Sequence, residues 1–314
     1  MISTPVIAVD IGGTKIRTGL VVGGRVTQVH FVPTPAARGA SAVLDAVADL
    51  VARTTSAAIA QGQTPGVLGV GSAGVIDPDS GRVVSATDAL PGWAGTNLIS
   101  ELQHRTRLPV RVVNDVHAHA LGEAAFGASA TTRNSLLVAV GTGIGAGLIC
   151  NDQLVTGQNS AAGHIGHMPS SFAAGLRCPC GSEGHLEAIA SGPAVLAAYR
   201  RSGGRATSSS TAHLADKARE GDTIARDAFA TAGRALGSVL GGVANVLSPE
   251  VVVLGGGLVS ADELWWPHLE RSFEAELIPA VRGLSPRRAE LGADAALIGA
   301  ASLWDGAHIE VEEK

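Results

Sequence analysis

Apolar positions along this chain come in two rhythms. Short runs of four to eight residues, rich in Val and Ile and closed by Gly or a polar pair, fall at 6–9, 18–22, 25–32, 67–70, 110–113 and 251–254. They read as buried strands. Between them, apolar residues recur at three- and four-residue spacing, as with Leu44, Val47, Leu50 and Val51 inside a helix expected over 40–61. Further helices are expected at 99–105, 118–126, 193–200, 214–220, 223–245 and 292–303, with Thr96 or Asn97 capping the 99–105 helix. Strands alternating with helices predict an α/β fold. The polar stretches 77–81 and 202–211 read as a turn and a loop, and the tail 310–314 as frayed.

The first glycine-rich stretch, Asp10-Ile11-Gly12-Gly13-Thr14, lies between two strands, and the second of these turns at Gly23-Gly24 into a third. A Gly-Gly pair between apolar runs predicts a hairpin. Dinucleotide and Walker-type loops need a helix after the glycines, so neither reading applies. The pattern returns at an offset of 128: Gly13-Thr14 matches Gly141-Thr142, Gly19-Leu20 matches Gly147-Leu148, and Gly23-Gly24 matches Asn151-Asp152. This implies a duplicated unit. Two Gly-Thr tips with free N–H groups suit a polyphosphate; two ordinary tight hairpins would give the same residues. The apolar strand ending in Gly71-Ser72-Ala73-Gly74 marks a ligand or close packing, and Gly255-Gly256-Gly257 after a buried strand marks close backbone approach suited to a nucleoside. Asp115 stands where a strand gives way to a helix. That position serves a general base or an N-cap equally well. Helix 223–245 carries Gly233, Gly237, Gly241 and Gly242, a stripe for close helix packing, and Trp265 and Trp266 read as packing residues.

Composition narrows the function. The chain of 314 residues has room for two domains, with 46% hydrophobic and 16% charged residues, as in a globular protein. A net charge of −5 offers no footprint for nucleic acid or an anionic membrane. No apolar run is long enough to span a bilayer and no signal-type segment opens the chain, so a cytoplasmic location is expected. Three cysteines, two of them one residue apart, make no disulfide framework.

Those two cysteines belong to segment 163–191, GHIGHMPSSFAAGLRCPCGSEGHLEAIAS. His167, Cys178, Cys180 and His185 offer the number and type of ligand that a tetrahedral structural Zn²⁺ takes. A loop held by packing alone is the competing reading.

Taken together these motifs resemble the ROK family of sugar kinases and sugar-responsive repressors, over nearly the whole chain. Asp10 to Thr14 resembles the family's first phosphate loop, and Gly141-Thr142-Gly143-Ile144-Gly145 its second. Asn114-Asp115 resembles its catalytic pair, and 163–191 its signature of G-E-x-G-H, C-x-C-G-x-x-G-C and L-E-x-x-x-S elements. The resemblance implies a two-domain actin-like ATPase (ribonuclease H-like) fold: residues 1–116, completed by a C-terminal helix at about 292–314, and 117–291, with the sugar in the interdomain cleft. Repressor members carry a helix-turn-helix domain of some eighty residues ahead of a loop that here begins at residue 10, so the kinase branch is expected.

The implied reaction is transfer of the ATP γ-phosphoryl group to a sugar 6-hydroxyl. Asp115 would act as base and Asn114 would orient the sugar. Asp10 would organise Mg²⁺ through its water shell. Gly12, Gly13, Thr14, Thr142 and Gly143 would hold phosphates, and Gly255, Gly256 and Gly257 would face the nucleoside. His164, His167 and Glu187 would contact the ring hydroxyls and the C2 group, with Gly74, Thr87 and Asn97 from the same resemblance. Two departures stand out. The family's third cysteine is His185 here, which leaves tetrahedral geometry intact with less ligand charge. His164 replaces the glutamate most family kinases use on the sugar, in the form seen in N-acetylmannosamine kinases. It trades a fixed acceptor for a group that can donate to an acetamido carbonyl. The expected substrate is N-acetylmannosamine, which would fit sialic acid catabolism; the alternatives are a glucokinase or other hexose kinase using ATP or polyphosphate, and a non-catalytic sugar sensor. A homodimer or higher homo-oligomer is implied by the family alone.

Overall fold

The computed structural model describes residues 4–87, 89–205 and 210–305. The expected frayed tail at 310–314 and the end of the expected C-terminal segment lie outside them, as does the middle of the 202–211 loop. Contacts divide the chain into two units. One comprises Met1–Asn134, Gly147–Ala162 and Glu290–Lys314; the other comprises Ser135–Ala146 and Gly163–Ala289. The division expected after residue 116 differs, because the helix that follows clusters with the first unit.

The first unit begins with β1 (Val6–Ile11), β2 (Lys15–Val22) and β3 (Arg25–Pro33), an antiparallel meander. Helix α1 (Ala40–Ala60), strand β4 (Leu68–Ser72) and the small hairpin β5 (Val75–Ile76) and β6 (Val83–Ser85) follow. Then come α2 (Leu98–Thr106), β7 (Val110–Asn114) and α3 (Asp115–Phe126). The sheet order is β3-β2-β1-β4-β7, with β4 parallel to β1 and β7 parallel to β4. Strand alternation divides β1 between two cores. Ile7, Val9 and Ile11 pack in the cluster that holds Val47, Leu50 and Trp93. Val6 and Ala8 pack against Leu297, Ile298 and Ala300 near the chain's end.

The meander recurs in β8 (Ser135–Val140), β9 (Ile144–Cys150) and β10 (Gln153–Val155), and the second sheet has the order β10-β9-β8-β11-β12. Gly23 and Gly24 (φ 57° and 74°) and their counterparts Asn151 and Asp152 (φ 50° and 68°) all take left-handed conformations, the pattern of a type I′ hairpin turn. The duplication expected from the 128-residue offset is therefore present strand for strand.

Besides β8 and the start of β9, the second unit comprises α4 (Glu187–Ala190), α5 (Gly192–Arg201), α6 (Thr211–Arg219), α7 (Thr223–Leu247), β11 (Val251–Gly255), α8 (Trp266–Glu276) and β12 (Pro286–Arg288). The glycine stripe of α7 is used as expected at three positions. A Cβ on Gly233, Gly237 or Gly241 would stand 2.3, 2.2 or 2.6 Å from the carbonyls of Trp265, Leu269 and Phe273, whereas Gly242 faces open space. Trp265 and Trp266 are buried packing residues. The last helix, α9 (Ala295–Ser302), returns to the first unit after a 3-10 turn over Gly292–Asp294, which is why it is shorter than its apolar pattern.

Candidate active site

In the first unit, the carboxyl ends of β1, β4 and β7 bring the acidic groups together. Asp10 is in register with Gly71, and Ser72 with Asn114. Small residues on one face of β4 let helices settle onto it: a Cβ on Gly69 would lie 2.0 Å from the Ala300 carbonyl, and one on Gly71 would be 3.1 Å from the Ala118 Cβ and 3.6 Å from the Asp115 Cα. Asp10 alternates onto the same face as Ala8, so close seating of α3 is what sets Asp115 beside it.

The two readings of Asp115 separate at the start of α3. Asn114 is the cap: its Oδ1 accepts from the N–H groups of Val116 (2.9 Å) and His117 (3.2 Å). Asn114 also donates through Nδ2 to the Gly74 carbonyl (2.8 Å) and to Asp115 Oδ1 (2.9 Å). The Val116 N–H is shared with Asp115 Oδ1 at 2.9 Å. Asp115 Oδ1 is thereby held, and Oδ2 takes no hydrogen bond from the described residues. Burial raises the Asp115 pKa, opposed first by His119. Asp10 is pushed up to about 7 by burial and then by the Asp115 charge, with Arg17 and Lys15 opposing. Two desolvated carboxylates in one place call for a cation or a proton between them, and this fits a Mg²⁺ complex.

The Gly12–Gly13 turn is closed by the Gly12 N–H donating to the Lys15 carbonyl (3.0 Å) and by the Thr34 hydroxyl donating to the Gly12 carbonyl (2.7 Å). The N–H groups of Gly13 and Thr14 form no hydrogen bond among the described residues, and Thr14 is exposed. Thr87 is exposed on the loop whose Ala89 Cβ would meet a Cβ on Gly13 at 3.0 Å. Gly74 (φ 105°) is required by its turn, since a Cβ would lie 2.8 Å from the Ser85 carbonyl. Asn97, by contrast, is occupied away from this cluster. It caps α2 through Oδ1 to the Ser100 N–H (2.9 Å) and donates to the Ser80 carbonyl (3.0 Å).

In the second unit the Gly141–Gly143 turn repeats the first. Gly141 N–H donates to the Gly143 carbonyl (2.9 Å), and the N–H groups of Thr142 and Gly143 form no hydrogen bond among the described residues. The Gly255–Gly257 loop lies alongside, with Gly256 (φ 94°) so close that a Cβ would sit 2.4 Å from the Val140 carbonyl. Glu187 Oε2 accepts the Ile144 N–H at 2.7 Å, and a Cβ on Gly143 would stand 2.7 Å from it. On each Gly-Thr tip two N–H groups without a partner among the described residues suit a phosphate oxygen.

Segment 163–191 doubles back on itself. Leu186 N–H bonds the Met168 carbonyl, Ser170 N–H the Gly184 carbonyl, and Cys178 N–H the Ser182 carbonyl, all at 2.8–2.9 Å. The ligand atoms of His167, Cys178, Cys180 and His185 all lie within 4.8 Å of one another. Cys178 Sγ is 3.6 Å from His167 Nδ1, and Cys180 Sγ is 3.3 Å from His185 Nδ1. The edge between S and N ligands of a tetrahedral Zn²⁺ is about 3.6 Å, given its usual bond lengths, so the residues fit that ion. Burial pushes the Cys178 thiol up to about 11. The Ser182 N–H pulls Cys180 down, and burial lowers His167 against the pull of Glu187. His164 is exposed and its ring stacks 6.1 Å from that of His167.

Three groups were not foreseen from the sequence. Arg17 pairs in register with Asp10, and His119 and Glu123 follow Asp115 at four-residue steps. Strand and helix periodicity place all three on the same faces as the acids, which was the available signal.

The ROK family model matches residues 6–307. A glucokinase of Halalkalibacterium halodurans is 32% identical over 310 residues, covering 93% of this chain and 92% of its own. The N-acetylmannosamine kinase of Pasteurella multocida is 31% identical over 311 residues, covering 97% and 99%. The solved structure of a ROK family glucokinase from Streptomyces griseus in complex with glucose and AMPPNP superposes with a TM-score of 0.82 at 32% identity, covering 95% of this chain and 98% of that one. Duplicated meanders whose first turns carry Gly-Thr, an Asn-Asp pair at the head of α3 and a Cys/His knuckle are accounted for together by this match: the chain belongs to the ROK family.

Proposed function

We propose that the chain is an ATP-dependent sugar kinase that phosphorylates the 6-hydroxyl of N-acetylmannosamine, giving the 6-phosphate and ADP. The observation that carries the kinase reading is Asp115. It is a desolvated carboxylate with one oxygen held by Asn114 and the other free, set beside a second acid and not spent on capping its helix.

In this reading Asp115 Oδ2 receives the proton as the sugar O6–H bond breaks, the O6–P bond forms and the bond from phosphorus to the ADP oxygen breaks. Asp10 would hold Mg²⁺ through its water shell, and the ion would supply charge neutralisation on the phosphates. The N–H groups of Gly13, Thr14, Thr142 and Gly143 hold the phosphates, and Gly255 to Gly257 face the nucleoside. Positioning and charge stabilisation carry most of such a transfer. Glu187, His167 and His164 contact the sugar in this reading, as do Asn114, Gly74 and Thr87. Asn97, whose amide is committed to the α2 cap and the Ser80 carbonyl, is left out of the sugar contacts. His167, Cys178, Cys180 and His185 hold a structural Zn²⁺ that keeps His167 in its neutral form and fixes the segment that carries Glu187.

The substrate choice rests on His164, an exposed imidazole able to donate to an acetamido carbonyl. Glucose is the second reading, supported by glucokinases that are 32% identical to this chain. A coupled ADP-release assay over a sugar panel decides between them. A specificity constant for N-acetylmannosamine above that for glucose supports the first reading, and a ratio below one overturns it in favour of the second. No ADP release with any hexose or N-acylhexosamine would overturn the kinase reading.

A further inference from the structure

The edge of α3 that carries Asp115 continues with His119 one turn on and Glu123 a turn beyond. Four-residue spacing stacks the three side chains along one side of the helix. The far end of this row is anchored: Glu123 is fully buried, and its oxygens accept the N–H groups of Ala128 (2.7 Å), Glu290 (3.2 Å) and Leu291 (2.8 Å). The helix itself has no room to shift. A Cβ on Gly122 would lie 2.2 Å from the Ala295 carbonyl, and one on Gly299 would lie 1.7 Å from that of Ala118.

Between the two carboxylates sits an imidazole that forms no hydrogen bond with the described residues. The charged groups that act on it are Asp115 and Glu123 on its own helix and Arg17 on β2. Arg17 is tied to Asp294 at 3.0 Å and donates to the Ala293 carbonyl, while Asp10 faces Asp115 from β1. Burial, with Arg17 adding to it, leaves the His119 pKa lowered on balance against the pull of Asp115 and Glu123, and His119 is in turn the largest influence drawing Asp115 down. Neither Glu123 nor Arg17 is free to respond, since both are fully engaged. Besides the free Oδ2 of Asp115 itself, the His119 imidazole is the member of the row that forms no hydrogen bond with the described residues.

We propose that His119 is a positioning residue for Asp115, accepting protons from solvent as the medium acidifies so that the neighbouring carboxylate stays ionised and able to take the sugar hydroxyl proton. The inference rests on the reading of Asp115 as the base. His119 touches no substrate. It acts by placing positive charge one helical turn behind the base, flanked by Glu123, so Asp115 keeps its negative charge to lower pH.

The test is the acid limb of the kcat–pH profile in wild type and in His119→Gln, whose amide fills similar space and does not titrate. Removing the imidazole should move the limb to higher pH by about half a unit or more, with sugar KM little changed. A limb that stays in place, whatever the height of the plateau, overturns the inference. A second readout needs no activity: the His119 C2–H resonance, assigned by its loss in His119→Gln, is titrated in wild type and in Asp115→Asn. Its pKa should fall when the carboxylate is removed, and an unchanged value overturns the pairing even if His119→Gln fails to fold. Near-normal turnover in Asp115→Asn would instead sink the reading of Asp115 as base, whichever way the imidazole titrates.

Discussion

Replacing Asp115 by Asn probes the site with little structural disturbance. The Asn Oδ1 can still accept from Asn114 Nδ2 and share the Val116 N–H, and the new Nδ2 replaces an oxygen to which no described residue donates. What is lost is the proton acceptor, a contribution of about 10²–10⁴ in rate. That corresponds to about 3–5 kcal/mol of barrier at 1.36 kcal/mol per decade. What is gained is relief of repulsion. The Asp115 charge is the second cause, after burial, of an Asp10 pKa near 7. A carboxyl whose folded pKa is raised binds more protons in the native state. Its stabilisation is therefore full below 3.8 and is lost as pH rises through about 7. Without the neighbouring charge that loss shrinks, so the variant should be at least as thermostable as wild type at neutral pH. The assays are coupled ADP release for kcat, titration calorimetry for the sugar Kd, and a melting curve at pH 7.5. A kcat within ten-fold of wild type would refute the reasoning. So would a sugar Kd weakened more than ten-fold, since the carboxylate would then be a binding group and not a base.

Other expectations concern the framework. Protein purified without added zinc or chelator should carry about one Zn²⁺ per chain by elemental analysis, and Cys178→Ser should abolish it and lower Tm, because four ligands within 4.8 Å define the site. Gly163→Ala should cost about 3 kcal/mol or more in urea unfolding, given a φ of 87° and a Cβ placed 1.9 Å from the Ala146 carbonyl; a cost below about 1 kcal/mol would mean that the turn readily reshapes. Glu123→Ala removes a fully buried carboxyl side chain and leaves three part-buried N–H donors without their acceptor, and should destabilise by about 2–4 kcal/mol in the same assay.

Much of the site was legible because its residues sit at places that local rules mark. The Gly-Gly and Asn-Asp turns, the strand-to-helix junction before Asp115 and the Cys-x-Cys spacing are short-range features, and each occupies the expected element. The ambiguity at Asp115 was local too, but its resolution was not visible in the sequence: both Asn114 and Asp115 are competent caps, and only the coordinates show Asn114 spending its Oδ1 on the cap. Asn97 is the converse case, a polar residue near a predicted helix start whose amide turns out to be committed to that start. Gly242 shows the limit of a stripe pattern, since α8 reaches Gly233, Gly237 and Gly241 and passes Gly242 by.

By itself the sequence determined the alternation of strands and helices, the duplicated Gly-Thr hairpins, the zinc-type ligand set and the family. Periodicity, turn chemistry and ligand spacing all act over a few residues. The tertiary structure alone decided how closely α3 and α9 approach β4. Of Gly69, Gly71, Gly122 and Gly299, only Gly71 stood out in the sequence, and β4, α3 and α9, which carry them, lie far apart along it. Their missing side chains let the backbones meet, and that contact sets Asp115 near Asp10, desolvates both, and places His119 and Glu123 behind them. Distances of this kind depend on which surfaces pack together, which no local pattern of residues encodes.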